Sequence, residues 1–127
     1  MTQNEQSQQK TVLIVDDSPV SLRHASGILK AEYRVACAKS GEMALAYLRA
    51  QNHPDLILLD VNMPEMDGFA VLRRITAIEG LQNTPVLFLT GVEDAAQEEG
   101  LSEISEERIL HKPVQPRTLL EKVRAFV

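Results

Sequence analysis

Short apolar runs alternate with longer amphipathic stretches along this chain, and this alternation restricts the folds open to it. Strands that alternate with helices form a parallel sheet covered on both faces, and right-handed crossovers then leave few topologies. The predicted strands are residues 11–15, 33–36, 56–59, 86–89 and 109–111. The predicted helices lie near residues 20–30, 42–51, 68–78, 93–104 and 116–126.

Length and charge narrow the class of protein. A chain of 127 residues is expected to form one domain, over residues 11–127, after a polar tail at residues 1–10 that we predict to be disordered. The net charge of −5 argues against binding to nucleic acid or to an anionic membrane. No apolar run is long enough for a signal peptide or a transmembrane helix, so the predicted location is cytoplasmic. The single Cys37 excludes a disulfide framework and is predicted to be a small core residue.

Acidic residues are concentrated in one segment. Residues 93–107 hold seven acidic side chains and no Lys or Arg, which leaves 11 acidic and 13 basic residues elsewhere. The segment is either a solvated face or a docking surface for a basic partner.

Polar side chains follow the apolar runs at points that a parallel sheet would bring together. Asp16 and Asp17 follow the first run, Asp60 follows the third, and the last two strands lead to Thr90 and Lys112. The carboxyl ends of parallel strands share one edge, and ligands bind there. Each group alone would be an ordinary strand-end turn. Their joint occurrence predicts a site.

Three neighbouring carboxylates repel one another, so at least one is expected to have a raised pKa unless a cation is bound. Mg²⁺ prefers a site with few carboxylates, several waters and a substrate phosphate oxygen. This set of residues matches such a site better than it matches a closed Ca²⁺ cage. Two acids would then hold the metal while the third attacks a phosphoryl group to form an aspartyl phosphate. Lys112 and Thr90 would contact phosphoryl oxygens, and Gly91 leaves room for a close backbone approach.

From residue 11 to residue 127 the chain resembles the receiver domain of two-component response regulators. The motifs that carry the resemblance are Asp16-Asp17, Asp60-Val61-Asn62-Met63-Pro64, Asp67-Gly68, Thr90 and Lys112-Pro113. The resemblance implies a flavodoxin-like, doubly wound α/β fold with five helices and a five-stranded parallel sheet in the order 2-1-3-4-5.

The resemblance also assigns roles. Asp60 would be the phosphoacceptor, and Asp16, Asp17, Asp60 and the backbone carbonyl of Asn62 would bind Mg²⁺. Thr90 would be the switch hydroxyl and Lys112 the phosphate-binding lysine, followed by a cis bond to Pro113.

The implied phosphoryl donor is a histidine kinase or a histidine phosphotransfer protein. The implied output is a downstream protein or a fused domain, reached through the fourth helix, the fifth strand and the fifth helix. The segments at residues 54–60 and 85–90 resemble receivers fused to cyclic-dinucleotide enzymes.

One position departs from the family pattern. Ile109 stands where receivers usually carry Tyr or Phe, and no nearby ring is predicted to substitute. We therefore expect Thr90 and Ile109 to pass the signal on by repositioning a helix rather than by rotating a ring.

Two alternatives remain open. A phosphohydrolase of the haloacid dehalogenase type also uses a strand-end Asp and Mg²⁺, but it needs a second Asp where this chain has Asn62, and its metal acids come late in the chain. We therefore expect no turnover of small phosphomonoesters. The other alternative is a receiver-like interaction module that works without phosphorylation. The intact acidic set argues against it, while Ile109 keeps it open.

Overall fold

The computed structural model describes residues 9–64, 66–91 and 104–127. Its five strands are β1 (Thr11–Val15), β2 (Arg34–Ala38), β3 (Leu56–Asp60), β4 (Val86–Thr90) and β5 (Ile109–His111). All neighbouring pairs are parallel, and the strands lie in the order β2-β1-β3-β4-β5. The predicted flavodoxin-like sheet and its strand order are confirmed.

Four α-helices flank the sheet in the described residues. They are α1 (Pro19–Leu29), α2 (Gly41–Arg49), α3 (Gly68–Thr76) and α4 (Pro116–Arg124), and a 3-10 turn at Glu106–Arg108 precedes β5. These helices correspond to the first, second, third and fifth predicted helices, with ends within two residues of those predicted. The predicted fourth helix, at 93–104, lies outside the described residues except for Ile104.

Side-chain caps fix where three of the helices begin. Ser18, Ser40 and Asp67 each accept a hydrogen bond from a backbone amide three residues later, at 3.3, 3.1 and 2.9 Å. Each bond satisfies an amide that has no partner within its helix. Because Ser18 and Asp67 follow the strand-end acidic residues closely, the caps also fix the loops that carry the site.

The core has two layers, one on each face of the sheet. Residues of β1, β3 and β4 alternate between the layers and are almost completely buried, as expected for parallel strands covered on both sides. One layer packs against α2 and α3, the other against α1 and α4. Burial on both faces explains why these strands read as continuous apolar runs.

Cys37 corrects the prediction of a core residue, because its side chain is exposed. β2 is the edge strand of the sheet, and Cys37 is exposed there although it lies next to α1. The thiol instead lies within hydrogen-bond reach of the Ser26 side chain on α1. An apolar run therefore overstates burial where its strand lies at an edge.

Among the described residues, no helix combines the length and apolar character that a membrane span requires.

Candidate functional site

The predicted acidic residues meet at the carboxyl edge of the sheet. One carboxylate oxygen from each of Asp16, Asp17 and Asp60 lies within 4.8 Å of the other two. Asp16 is fully buried and Asp60 is 3 % exposed, whereas Asp17 faces solvent. The site is therefore a buried carboxylate pair with a third carboxylate open to water.

Backbone amides orient the two buried carboxylates. The Ser18 amide donates to Asp16 Oδ1 at 2.9 Å, and the Asn62 amide donates to Asp60 Oδ1 at 3.1 Å. Both amides belong to the loop that directly follows the acid, so the strand end and its turn fix each side chain together. Asn62 is exposed beside Asp60, where its carbonyl was predicted to bind the metal.

Lys112 supplies the positive charge of the site. Its Nζ lies 2.8 Å from Asp16 Oδ2 and 3.3 Å from Asp60 Oδ2. Its amide donates to the Thr90 carbonyl at 2.8 Å, which joins β5 to the end of β4. The peptide bond from Lys112 to Pro113 is cis, as the resemblance implied.

Burial and charge shift the pKa values of this cluster. Burial, the largest cause, and the nearby Asp16 raise the pKa of Asp60 to about 7, against the lowering effects of the Asn62 amide and Lys112. Burial lowers the pKa of the Lys112 ammonium, but Asp16 and Asp60 more than offset this, so the net shift is upward. The expected raised carboxylate pKa is present, and desolvation contributes more to it than repulsion does.

The cluster fits a divalent cation such as Mg²⁺. Buried Asp16 Oδ2 has its ion pair with Lys112 but no contact of hydrogen-bond geometry among the described residues. When all three carboxylates are ionised, the single Lys112 ammonium leaves two negative charges, and a hard divalent cation would neutralise them. Exposed Asp17 leaves the site open to the water ligands that Mg²⁺ usually retains.

Thr90 and Ile109 lie on the two strands beyond β3. Thr90 is completely buried, and its hydroxyl donates to the Gly91 carbonyl at 3.1 Å. Ile109 is also buried and pairs in register with Phe88, whose ring stacks on Phe69 of α3 with centroids 5.4 Å apart. Tertiary packing thus brings this ring pair into the same core layer as Ile109, while the expectation that no ring substitutes for the missing aromatic stays a prediction.

His24 makes a tertiary contact that the sequence analysis did not identify. Its Nε2 lies 2.8 Å from the Val114 carbonyl, which connects α1 to the loop after Lys112. A cavity of 380 Å³ lies beside this contact, lined by Val20, His24, Lys112 and their neighbours. No local pattern signals this contact, because the two residues are 90 positions apart.

Residues 12–124 match the family model described as the response regulator receiver domain. A protein named "Probable cyclic di-GMP phosphodiesterase" from Vibrio cholerae is 40 % identical over 119 residues, which cover 94 % of this chain and 27 % of that protein. The response regulator PleD of Caulobacter vibrioides is 36 % identical over 91 % of this chain and 25 % of its own length. The chain thus spans about a quarter of the length of these two relatives.

The match extends to solved structures. The chemotaxis response regulator CheY4 of Vibrio cholerae superimposes with a TM-score of 0.81 at 32 % identity, covering 94 % of this chain and 99 % of CheY4. The likeness therefore extends over nearly the whole chain.

Proposed function

Because the chain belongs to the response regulator receiver domain family, we propose that it is a phosphorylation-dependent switch of a two-component system or phosphorelay. In this proposal Asp60 accepts a phosphoryl group from a phosphohistidine on a histidine kinase or a histidine phosphotransfer protein. The observation that carries the proposal is the cluster of Asp16, Asp17 and Asp60, with the Lys112 ammonium in contact with Asp16 and Asp60. Such a cluster is costly as a purely structural feature and useful for phosphoryl transfer.

The phosphoryl transfer is a substitution at phosphorus. A carboxylate oxygen of Asp60 forms a bond to phosphorus while the bond from phosphorus to the donor imidazole nitrogen breaks. The electron pair of the broken bond stays on that nitrogen. Asp60 attacks in its ionised form, so the raised pKa of this carboxyl opposes the reaction unless positive charge lies close by.

Two cations supply that charge in the proposed reaction. Asp16, Asp17, Asp60 and the Asn62 carbonyl would hold Mg²⁺, which when bound neutralises carboxylate and phosphoryl oxygen charge. Lys112 already lies 3.3 Å from Asp60 Oδ2, and it would keep its ion pair with Asp16 while it contacts a phosphoryl oxygen. The buried Asp16 thus also positions the Lys112 ammonium.

Thr90 and Ile109 are the proposed switch residues. The Thr90 hydroxyl now donates to its neighbour's carbonyl and would donate to a phosphoryl oxygen after transfer. That reorientation would shift the backbone at Gly91 and bias the chain between two conformations. Ile109 offers no ring to rotate, and its close packing on Phe88 favours a shift of whole elements instead.

The location and the output belong to the same proposal. We place the domain in the cytoplasm, where its phosphohistidine donor would act, and we propose a downstream protein or a fused domain as the output. The face that would carry the output includes β5 and α4. The relative named as a cyclic di-GMP phosphodiesterase illustrates one kind of fused output.

The test is the intact mass of the chain after incubation with Mg²⁺ and a small acyl phosphate. We expect a single phosphoryl adduct on the wild type and none on Asp60→Asn, because the amide cannot act as the nucleophile. An adduct on Asp60→Asn would refute the assignment of the phosphoacceptor. No adduct on either protein would favour the interaction module, and steady release of phosphate from a small phosphomonoester would favour the phosphohydrolase.

A further inference from the structure

A groove of 640 Å³ lies between α1 and the edge strand β2, and neither Lys112 nor a residue of the acidic cluster lines it. We call it the basic groove. Its lining includes Arg23, Ser26, Gly27, Lys30, Cys37 and Lys39. Arg23, Lys30 and Lys39 are cationic, and no acidic residue lines the groove.

The three cations of the basic groove have no ion pair among the described residues. Within residues 9–64, 66–91 and 104–127, none of them has a carboxylate oxygen within 4 Å. Arg124, by contrast, pairs with Glu32 where α4 meets the end of α1. An open groove that holds three unpaired cations attracts an acidic ligand.

The shape of the basic groove suits a segment of polypeptide. Among the strands of the described residues, β2 pairs with β1 alone, so one edge of this sheet is open along the groove. Gly27 carries no side chain, and nothing lies within 4 Å of where a Cβ would be. A chain segment can therefore approach both the helix and the strand edge closely.

The same sequence contains a complementary partner. Residues 93–107 hold seven acidic side chains and no basic ones, whereas the rest of the chain has two more basic residues than acidic ones. β4 and β5 bracket this acidic segment, and they lie at the opposite side of the sheet from β2. Three strand spacings of about 4.8 Å, with helices on both faces, separate β4 from β2. A second molecule is therefore the better source of the acidic segment.

We propose that the basic groove of one molecule binds the acidic segment, residues 93–107, of a second copy. The two patches are different surfaces, so a closed pair related by a two-fold axis would contain the contact twice. Contacts between exposed charges are weak and are screened by salt, so the association should be concentration-dependent and salt-sensitive. This proposal does not depend on phosphorylation of Asp60.

The experiment is sedimentation velocity of the full 127-residue chain over a concentration series, at about 30 mM and about 500 mM salt. We expect the wild type to associate at low salt and to be monomeric at high salt. The groove variant Arg23→Glu/Lys30→Glu/Lys39→Glu should self-associate at least about tenfold more weakly than the wild type. In this variant the groove and the acidic segment are both negatively charged, so they repel each other.

A matched variant controls for net charge. Arg49→Glu/Arg73→Glu/Arg74→Glu changes the charge equally at exposed positions on α2 and α3, and it should associate like the wild type. The segment variant Glu98→Lys/Glu99→Lys/Glu103→Lys should lose self-association, and mixing it with the groove variant should restore a complex.

Three outcomes would overturn the proposal. The first is a wild type that stays monomeric at low salt across the series. The second is equal loss of association in the groove variant and in its charge-matched control. The third is a segment variant that still associates like the wild type, since the groove would then bind some other surface.

Discussion

At position 68 the structure has room for glycine alone. A Cβ on Gly68 would lie 2.5 Å from the Asp60 carbonyl oxygen and 2.9 Å from Val61 Cα, and both are backbone atoms at the strand end that carries the proposed phosphoacceptor. Gly68 also donates its amide to the Val61 carbonyl at 3.1 Å. The first residue of α3 therefore packs directly against the backbone of Asp60 and Val61.

Gly68→Ala is expected to displace the end of β3. We predict a loss of roughly 1–3 kcal/mol in the free energy of unfolding, the usual range for overpacking, together with slower phosphoryl adduct formation at Asp60. Urea unfolding and intact mass would measure the two effects. A variant with unchanged stability and an unchanged rate would contradict this account of the close contact.

Gly27→Ala is the matched control. Gly27 lies inside α1 with open space around its Cβ position, so alanine should stabilise the chain by roughly 0.5–1 kcal/mol through helix propensity alone. The opposite signs expected at these two glycines separate crowding from a general effect of the substitution.

Single residues also show how far sequence reasoning reaches. The acidic residues at Asp16, Asp17 and Asp60 were predictable as a group because each ends an apolar run, and parallel strands end at one edge. The contact of His24 with Val114 was not predictable, because it joins surfaces through tertiary packing and leaves no local pattern. The same reason explains the stacked rings of Phe69 and Phe88.

At the scale of elements, Lys122 of α4 holds the start of β5. Its ammonium donates to the Ile109 carbonyl at 2.6 Å and to the Glu106 carbonyl at 2.8 Å. These carbonyls belong to the 3-10 turn and to the strand that follows it, so one side chain connects three elements. Ile109, the proposed switch residue, is therefore held by the hydrogen bond to its backbone carbonyl as well as by the packing of its side chain.

Lys122→Met keeps the length of the aliphatic side chain and removes the donor. We expect a loss of about 1–2 kcal/mol in the free energy of unfolding, because two carbonyls lose a charged hydrogen-bond partner. Thermal unfolding would measure it. Arg117→Met on the same helix is the comparison: its ion pair with Glu121 is exposed and 3.9 Å long, so its removal should change stability by less than about 0.5 kcal/mol. Equal losses in the two variants would contradict the role given to Lys122.

The boundaries of the strands show a second limit of prediction from the sequence. Apolar runs predicted strand ends at residues 59 and 89, whereas β3 includes Asp60 and β4 includes Thr90. Backbone pairing continues for one residue after the apolar pattern stops, because the ladder requires no apolar side chain. The functional groups are thus part of the strands and are held more rigidly than loop residues would be.

At the scale of the whole molecule, the acidic cluster makes stability depend on pH. The pKa of Asp60 is about 7 in the folded chain, above its ordinary value of 3.8. The folded state therefore keeps a proton that the unfolded state releases. This contribution weakens stability as pH rises between these two values and is constant above the higher one.

Comparison with Asp60→Asn isolates this effect from all other titrating groups. Without divalent cations, the stability of the wild type relative to the variant should fall by roughly 2 kcal/mol between about pH 5 and about pH 8. Mg²⁺ should restore stability to the wild type more at the higher pH, because it binds the ionised carboxylates. Urea unfolding at both pH values, with a chelator and with Mg²⁺, would check this. A constant difference between the two proteins would contradict the raised pKa.

The position of β3 has a further consequence for motion. β3 lies between β1 and β4, and all five of its residues are buried. We expect its amide hydrogens to exchange with solvent only through openings close to global unfolding, because both of its edges are paired and both of its faces are covered. In the proposed switch, phosphorylation of Asp60 would therefore occur on a firmly held strand, and we expect any displacement in the loops and edge elements around it. The strand that would receive the phosphoryl group is thus poorly placed to move with it.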